Sequence, residues 1–275
     1  MLNCYEIDAN DLNVSAESKL EYDTGEISLT LKDIIRIQAV NGGEIAMVEH
    51  KEFLNEWFPD TGCHIFISHS HKDKGLAIAI ANKLYKKYGV KSFIDSEFWG
   101  FVDKAIYEIN SDYSRSVSDE KYLDYDKCMR VASNFYLILS NALTDGIYHS
   151  DSFWFINSGN AFDAANESSA GSYSPWLYTE LNYTKTVALS PHPKRPSLIL
   201  ESAGLESNNH GWIIKSASRD FSVRFTPEKS HLTKVSNESI NKILYDPKGF
   251  AQNNEEQIFK NLDQIYSILD LHSSF

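Results

Sequence analysis

The sequence predicts an α/β protein built on a parallel sheet. Three observations predict it: short apolar runs alternate with helix-like segments, the clearest run breaks abruptly into small and polar residues, and a glycine closes the helix before the next run. That first run is His64-Ile65-Phe66-Ile67-Ser68, followed by His69-Ser70-His71-Lys72-Asp73. Short apolar strands joined through helices are the mark of a sheet covered on both faces. Ligands of such sheets bind outside the carboxyl ends of the strands.

The first 60 or so residues read differently from the rest. Ile27-Ser28-Leu29-Thr30-Leu31 alternates like a half-buried strand, Asn41-Gly42-Gly43 is a turn signal, and Glu49 to Trp57 reads as a short helix ended by Pro59-Asp60-Thr61-Gly62. Residues 1–62 are therefore expected to form a small N-terminal appendage packed on a main domain of residues 63–275. In that domain, Asp73–Tyr88 is expected as a helix with Leu76, Ile80, Leu84 and Tyr88 on one side and Gly89 as its C-cap. Val90–Asp95 is the next strand. An aromatic loop, Ser96-Glu97-Phe98-Trp99-Gly100-Phe101, precedes a helix from about Asp103.

Asp126–Ser133 reads as a short helix and Phe135-Tyr136-Leu137-Ile138-Leu139, ending at Ser140-Asn141, as a third strand. Ala142 to Tyr173 reads as a long polar or small stretch with one apolar island, Phe153-Trp154-Phe155-Ile156, expected to be buried. Ser174 suits an N-cap and Pro175 a first helical residue, with the helix reaching about Leu189. Pro196–Glu201 and Phe221–Phe225 are expected as further strands. Ile258, Leu262, Ile265 and Leu269 mark one face of a closing helix. The sum is a flavodoxin-like parallel sheet of about five strands with helices on both faces, plus the appendage.

Composition narrows the function. A net charge of −12 over 275 residues argues against a nucleic-acid backbone or an anionic membrane as the main partner. No stretch approaches the ~18 apolar residues of a membrane span, and the first residues do not read as a secretory leader. Cys4, Cys63 and Cys128 show no paired spacing. They suit a reducing, cytoplasmic setting, without a disulfide framework or a zinc site.

The residues able to carry chemistry lie at the expected carboxyl edge. Ser68 and His69 end the first strand, and Asp95 ends the second. His69 and His71 lack a third ligand nearby, so no metal is expected. The turn after Ser68 is not glycine-rich and matches no phosphate loop. It reads as a strand-to-helix turn whose backbone N–H groups face an anion. Trp99, beside Gly100, is a candidate to project from its loop. Trp176 and Glu180, spaced i and i+4, share a helix face. On spacing alone they read as a core Trp beside a solvated Glu. Beside a pocket they read as a stacking ring and an acid.

Taken together, these segments resemble the Toll/interleukin receptor (TIR) domain. His64–Ser70 with Asp73 is similar to the family's first strand and box, and Val90–Asp95 with Ser96–Phe101 to its second strand and following loop. Phe135–Ser140 is similar to a later core strand ending in Leu-Ser. Ser174-Pro175-Trp176-Leu177-Tyr178-Thr179-Glu180 resembles the segment that holds the catalytic Glu of NAD-cleaving members, where a Trp precedes the Glu by four. Leu177 stands where many members have Cys. The resemblance spans about Cys63 to the C-terminus.

The resemblance implies an NAD+ glycohydrolase or ADP-ribosyl cyclase of the bacterial type, acting in anti-phage defence signalling. NAD+ would be the substrate and no cofactor would be needed. Glu180 would be the catalytic residue, with Ser68, His69, Asp95, Trp99 and Trp176 lining the substrate. Self-association through TIR surfaces is implied as well. The family also contains non-catalytic adaptors and scaffolds, which is the alternative expectation.

Overall fold

The structure, a computed structural model, describes residues 3–10, 12–23, 35–40, 43–57, 62–117, 119, 121–162, 174–186, 224–245 and 254–271. Its strands are β1 (Asn3–Asp8), β2 (Arg36–Val40), β3 (Gly43–Met47), β4 (Ile65–Ser68), β5 (Ser92–Ile94), β6 (Ser152–Asn157) and β7 (Thr233–Val235). Its helices are α1 (His50–Trp57), α2 (Lys74–Tyr88), α3 (Ser96–Tyr113), α4 (Tyr125–His149), α5 (Pro175–Thr186), α6 (Asn237–Tyr245) and α7 (Glu255–Leu271).

Five strands form one parallel sheet in the order β5-β4-β6-β1-β7, and β2 and β3 form a separate antiparallel pair. This is the α/β, flavodoxin-like architecture expected, with a core on each face. Alternation along the strands sorts their side chains. Ile65, Ile67, Ile94, Trp154 and Ile156 join Tyr5 and Ile7 against α2, α6 and α7. Phe66, Phe93, Phe153 and Phe155 face α1, α3, α4 and α5. On that second face Phe66 stacks between its two cross-strand neighbours, with ring centroids 5.2 Å from Phe93 and 5.7 Å from Phe153. Such cross-strand aromatic pairs hold a sheet in register.

Several expected elements are present. Gly89 closes α2 with φ 70°, its N–H bonded to Tyr85 O, in the left-handed conformation that favours glycine. A 3-10 turn, His71–Asp73, links β4 to α2. Helix α1 matches the expected short helix, and Ser174 caps α5 by accepting from Leu177 N at 3.3 Å. Ile258, Leu262, Ile265 and Leu269 fall on the inward side of α7.

Others are corrected. Phe135–Leu139 is not a strand but the middle of the 25-residue α4. Phe135, Leu139, Leu143 and Ile147 recur at intervals of four and are buried, whereas Tyr136 and Leu137 face solvent. A helix buries one stripe of such a run, while a central strand would bury all of it. Asp124 caps α4 by accepting from Lys127 N at 3.0 Å, well before the apolar run begins. The core strand is instead the island Phe153–Ile156, within β6. The stretch from Ala142 is therefore not one long loop. Helix α3 starts at Ser96, so the expected aromatic loop Ser96–Phe101 is helical. Ile27–Leu31 and Pro196–Glu201 lie outside the described residues. Of Phe221–Phe225 only Arg224 and Phe225 are described, and no named strand covers them.

The N-terminal residues contribute more than an appendage would. Counting from β4, the order across the sheet is second strand, first, third, then β1, then β7. The fourth position of a flavodoxin-like sheet is thus filled by the chain's own N-terminal strand. Residues 12–23 then run along α2. Glu17 N donates to Gly75 O at 3.0 Å, and the side chain of the fully buried Asn82 accepts from Glu21 N and donates to Lys19 O, each at 2.9 Å. Tyr22 donates to Ser92 O at 2.6 Å, fastening the segment to β5.

This close approach explains Gly75. A Cβ there would stand 2.9 Å from Ala16 Cβ and 3.3 Å from Glu17 O. Gly75→Ala gains about 1 kcal/mol of helix propensity. It also wedges the strap off α2, at an overpacking cost of about 1–3 kcal/mol. A net loss of stability is expected, read as a lower urea midpoint at unchanged slope. A higher midpoint would show that the strap gives way freely.

Candidate functional site

The site forms where β4 and β5 end and α5 crosses them. Ser68 is the last residue of β4, opposite Phe155 of β6 in register. It faces the α5 side because Ile65 and Ile67 face the other. Asp95 directly follows β5, and Ser96 opens α3. Helix α5 inserts Leu177 and Leu181 into the apolar cluster of this face, and Glu180 lies on the same inward side.

The Ser68 hydroxyl donates to Glu180 Oε2 at 2.6 Å, a contact between residues 112 apart in the chain. Glu180 is only 1 % exposed. Its side chain also meets that of Asp95, itself buried. His69 Nδ1 lies 3.1 Å from Asp95 Oδ1 and 3.3 Å from Ile67 O. His69 Nε2 is 2.8 Å from Ser96 Oγ. The result is a buried chain of polar groups running Ser68–Glu180–Asp95–His69–Ser96. Burial pushes the Glu180 carboxyl well above its usual range, with the charge of Asp95 and the hydrogen bond to it adding to the shift. The Ser68 hydrogen bond opposes the shift without cancelling it.

Comparison with protein-family models, with curated proteins and with solved structures gives no match.

Of the residues singled out in the sequence, Ser68, His69, Asp95 and Glu180 come together. Glu180 is not the solvated acid that its spacing alone implies. Trp176 sits one turn earlier on α5, half-buried, its ring 5.8 Å from that of Tyr136 on α4. Trp99 is in the first turns of α3, and its side chain lies outside the described ones. Ser96 was missed, although its place directly after a strand-ending acid was a usable signal. Among the described residues no group of three or more His, Cys, Asp or Glu side chains is arranged to hold a metal ion. None of the helices there is long and apolar enough to cross a membrane.

Two neighbouring acids have structural work instead. Asp73 accepts from Ser158 Oγ and, at 2.7 Å, from Asn160 Nδ2, which ties the start of α2 to the turn after β6. Glu6 lies beside Phe155 in register and is buried on the same face as Ser68. It accepts from Asn157 Nδ2 at 2.6 Å and from Lys229 Nζ at 2.7 Å. Lys229 also sits over the Phe162 ring, 4.5 Å from its centroid, and so pins the segment before β7 to the sheet.

Proposed function

We propose that this protein cleaves the nicotinamide–ribose bond of NAD+, as a glycohydrolase or ADP-ribosyl cyclase, with Glu180 as its central acid. The observation that carries the reading is the 2.6 Å contact between Ser68 and Glu180. It joins the two segments on which the TIR resemblance rests, at the edge of the sheet where such folds bind ligands. The resemblance no longer rests on Phe135–Ser140, which is helical.

The chemistry fits an acid at this place. Breaking a glycosidic bond to a cationic ring passes through an oxocarbenium-like state, whose positive charge a nearby carboxyl group stabilises. The leaving nicotinamide departs neutral and needs no proton. The attacking water must lose one, so a proton acceptor is needed on the product side. Trp176 would stack on a base and Ser68 would orient Glu180. Glu180 is covered in the described residues, so substrate contact requires its surroundings to open. A bacterial-type role in anti-phage defence, in the cytoplasm and through self-association, follows from the same resemblance.

A non-catalytic adaptor or scaffold is the second reading. It is favoured by the exposed row of Tyr125, Met129, Tyr136 and Leu137 on α4, where Tyr125 is 73 % and Leu137 63 % exposed. One experiment separates the two. Purified protein is incubated with NAD+ at high concentration, with nicotinamide release followed by chromatography and the products identified by mass spectrometry. Release by the wild type and not by Glu180→Ala supports the enzyme. Self-assembly without release by either supports the scaffold.

A further inference from the structure

We infer that Asp95 is the second acid of the site: Glu180 and Asp95 hold one proton between them, Glu180 donating it to Asp95, and His69 positions Asp95 to receive it. The inference deepens the reading of Glu180 as the central acid of NAD+ cleavage, and gives Asp95 a role other than lining the substrate.

The argument starts from the donors. A carboxylate only accepts hydrogen bonds. Glu180 Oε2 accepts from the Ser68 hydroxyl. Glu180 Oε1 is equally buried, and among the described residues no N–H or O–H reaches it. The Glu180 side chain also meets the carboxyl of Asp95. Two buried carboxyl groups in contact cannot both be ionised, and one proton placed between them turns a repulsion into a hydrogen bond. The geometry also says which acid carries it. Asp95 has His69 Nδ1 at 3.1 Å, with the far side of that ring held by Ser96 Oγ at 2.8 Å. Among the described residues no Lys, Arg or His nitrogen stands at that range from Glu180, which lies on the side of α5 that carries Leu177 and Leu181 into the apolar cluster. The proton therefore sits on Glu180 Oε1 and the negative charge on Asp95. Burial, which pushes the Glu180 carboxyl upward, agrees with this arrangement.

A pair with one proton and one charge does two jobs in the proposed reaction. Its single negative charge faces the oxocarbenium-like centre. Its free place accepts the proton that the attacking water loses as the new C–O bond forms, and the pair then passes that proton to solvent. Activity would require the singly protonated pair and fall on both sides of that state, giving a bell-shaped pH profile whose limbs belong to the pair.

The test uses the full chain with and without NAD+. Infrared spectra of the wild type, Asp95→Asn, Glu180→Gln and His69→Gln at neutral pH report the C=O stretch of a neutral carboxyl group without any need for activity. The wild type is expected to show such a band, which Glu180→Gln abolishes and Asp95→Asn shifts. No neutral-carboxyl band, or one unmoved by Asp95→Asn, overturns the pair. In nicotinamide release, Asp95→Asn is expected to lower kcat at least about 100-fold with little change in KM. His69→Gln is expected to move the acid limb of the pH profile. Wild-type kcat and pH profile in Asp95→Asn would overturn the inference. If the wild type releases no nicotinamide, the reading of NAD+ cleavage falls and the infrared arm alone decides the pair. Circular dichroism checks that each variant is folded. Should Asp95→Asn fail to fold, His69→Gln decides: an unmoved neutral-carboxyl band together with an unmoved pH profile overturns the inference.

Discussion

Glu180→Gln is expected to lower kcat for NAD+ cleavage by a factor of about 100 to 10,000 without destabilising the fold. Glutamine copies the shape of the protonated acid. Its amide oxygen can accept from Ser68, in place of the 2.6 Å bond to Oε2, and its NH2 group can donate to Asp95. What it cannot do is take up or release a proton. The sign of the stability effect follows from linkage. The folded value of Glu180 is raised above the ordinary 4.5, so its contribution to stability is fully present below about that pH. It is lost as the pH rises through the folded value. Glutamine has no such loss. Urea unfolding across pH 4 to 9 should therefore show the variant gaining on the wild type as the pH rises. A variant that keeps wild-type turnover would remove Glu180 from the mechanism. One that unfolds at neutral pH would show that the site needs an ionised acid here.

How much of this was legible in the chain depended on how local each signal was. β4 and β5 read well because each is a short apolar run that stops at a polar residue, Ser68 and Asp95, and Gly89 marks the end of the helix between them. Phe135–Leu139 misread because five consecutive apolar residues fit a buried strand as well as a helix. Only the spacing of Leu139, Leu143 and Ile147 beyond the run decides for the helix. β1 was invisible for a different reason. A central parallel strand normally reads as a continuous apolar run, but Asn3-Cys4-Tyr5-Glu6-Ile7-Asp8 carries a carboxylate in its middle. Glu6 is tolerated there because Asn157 and Lys229, 151 and 223 residues away, reach it. No local pattern announces a partner at that distance. The site divides the same way. The strand ends offered Ser68, His69 and Asp95, and helical spacing offered Trp176 with Glu180. That Glu180 and Asp95 meet each other, buried, is a tertiary fact.

Removing residues 1–9 should destroy cooperative folding rather than trim a dispensable end. β1 pairs with β6 over six positions and with β7 over three. Among the described strands β7 has no other neighbour, so losing β1 strands β7 and leaves the long edge of β6 open. Side chains add to the loss. Ile7 is fully buried and Tyr5 almost so, with the Tyr5 ring stacked on Tyr266 at 6.0 Å and its hydroxyl donating to Asp270 at 3.0 Å, both on α7. Burying two such side chains contributes roughly 3–6 kcal/mol, against a total stability of about 5–15 kcal/mol for a typical domain. The partly buried Glu6–Lys229 pair would also lose its acid, leaving a cation over the Phe155 and Phe162 rings. The shortened chain is thus expected to show no sharp thermal transition and poorly dispersed NMR amide resonances. Ile7→Ala, a milder probe of the same strand, should cost about 2–5 kcal/mol and keep the transition. A shortened chain that melts as sharply and as high as the full one would mean that the strand adds nothing to the sheet. The six-position pairing with β6 and the buried contacts to α7 argue for the opposite result.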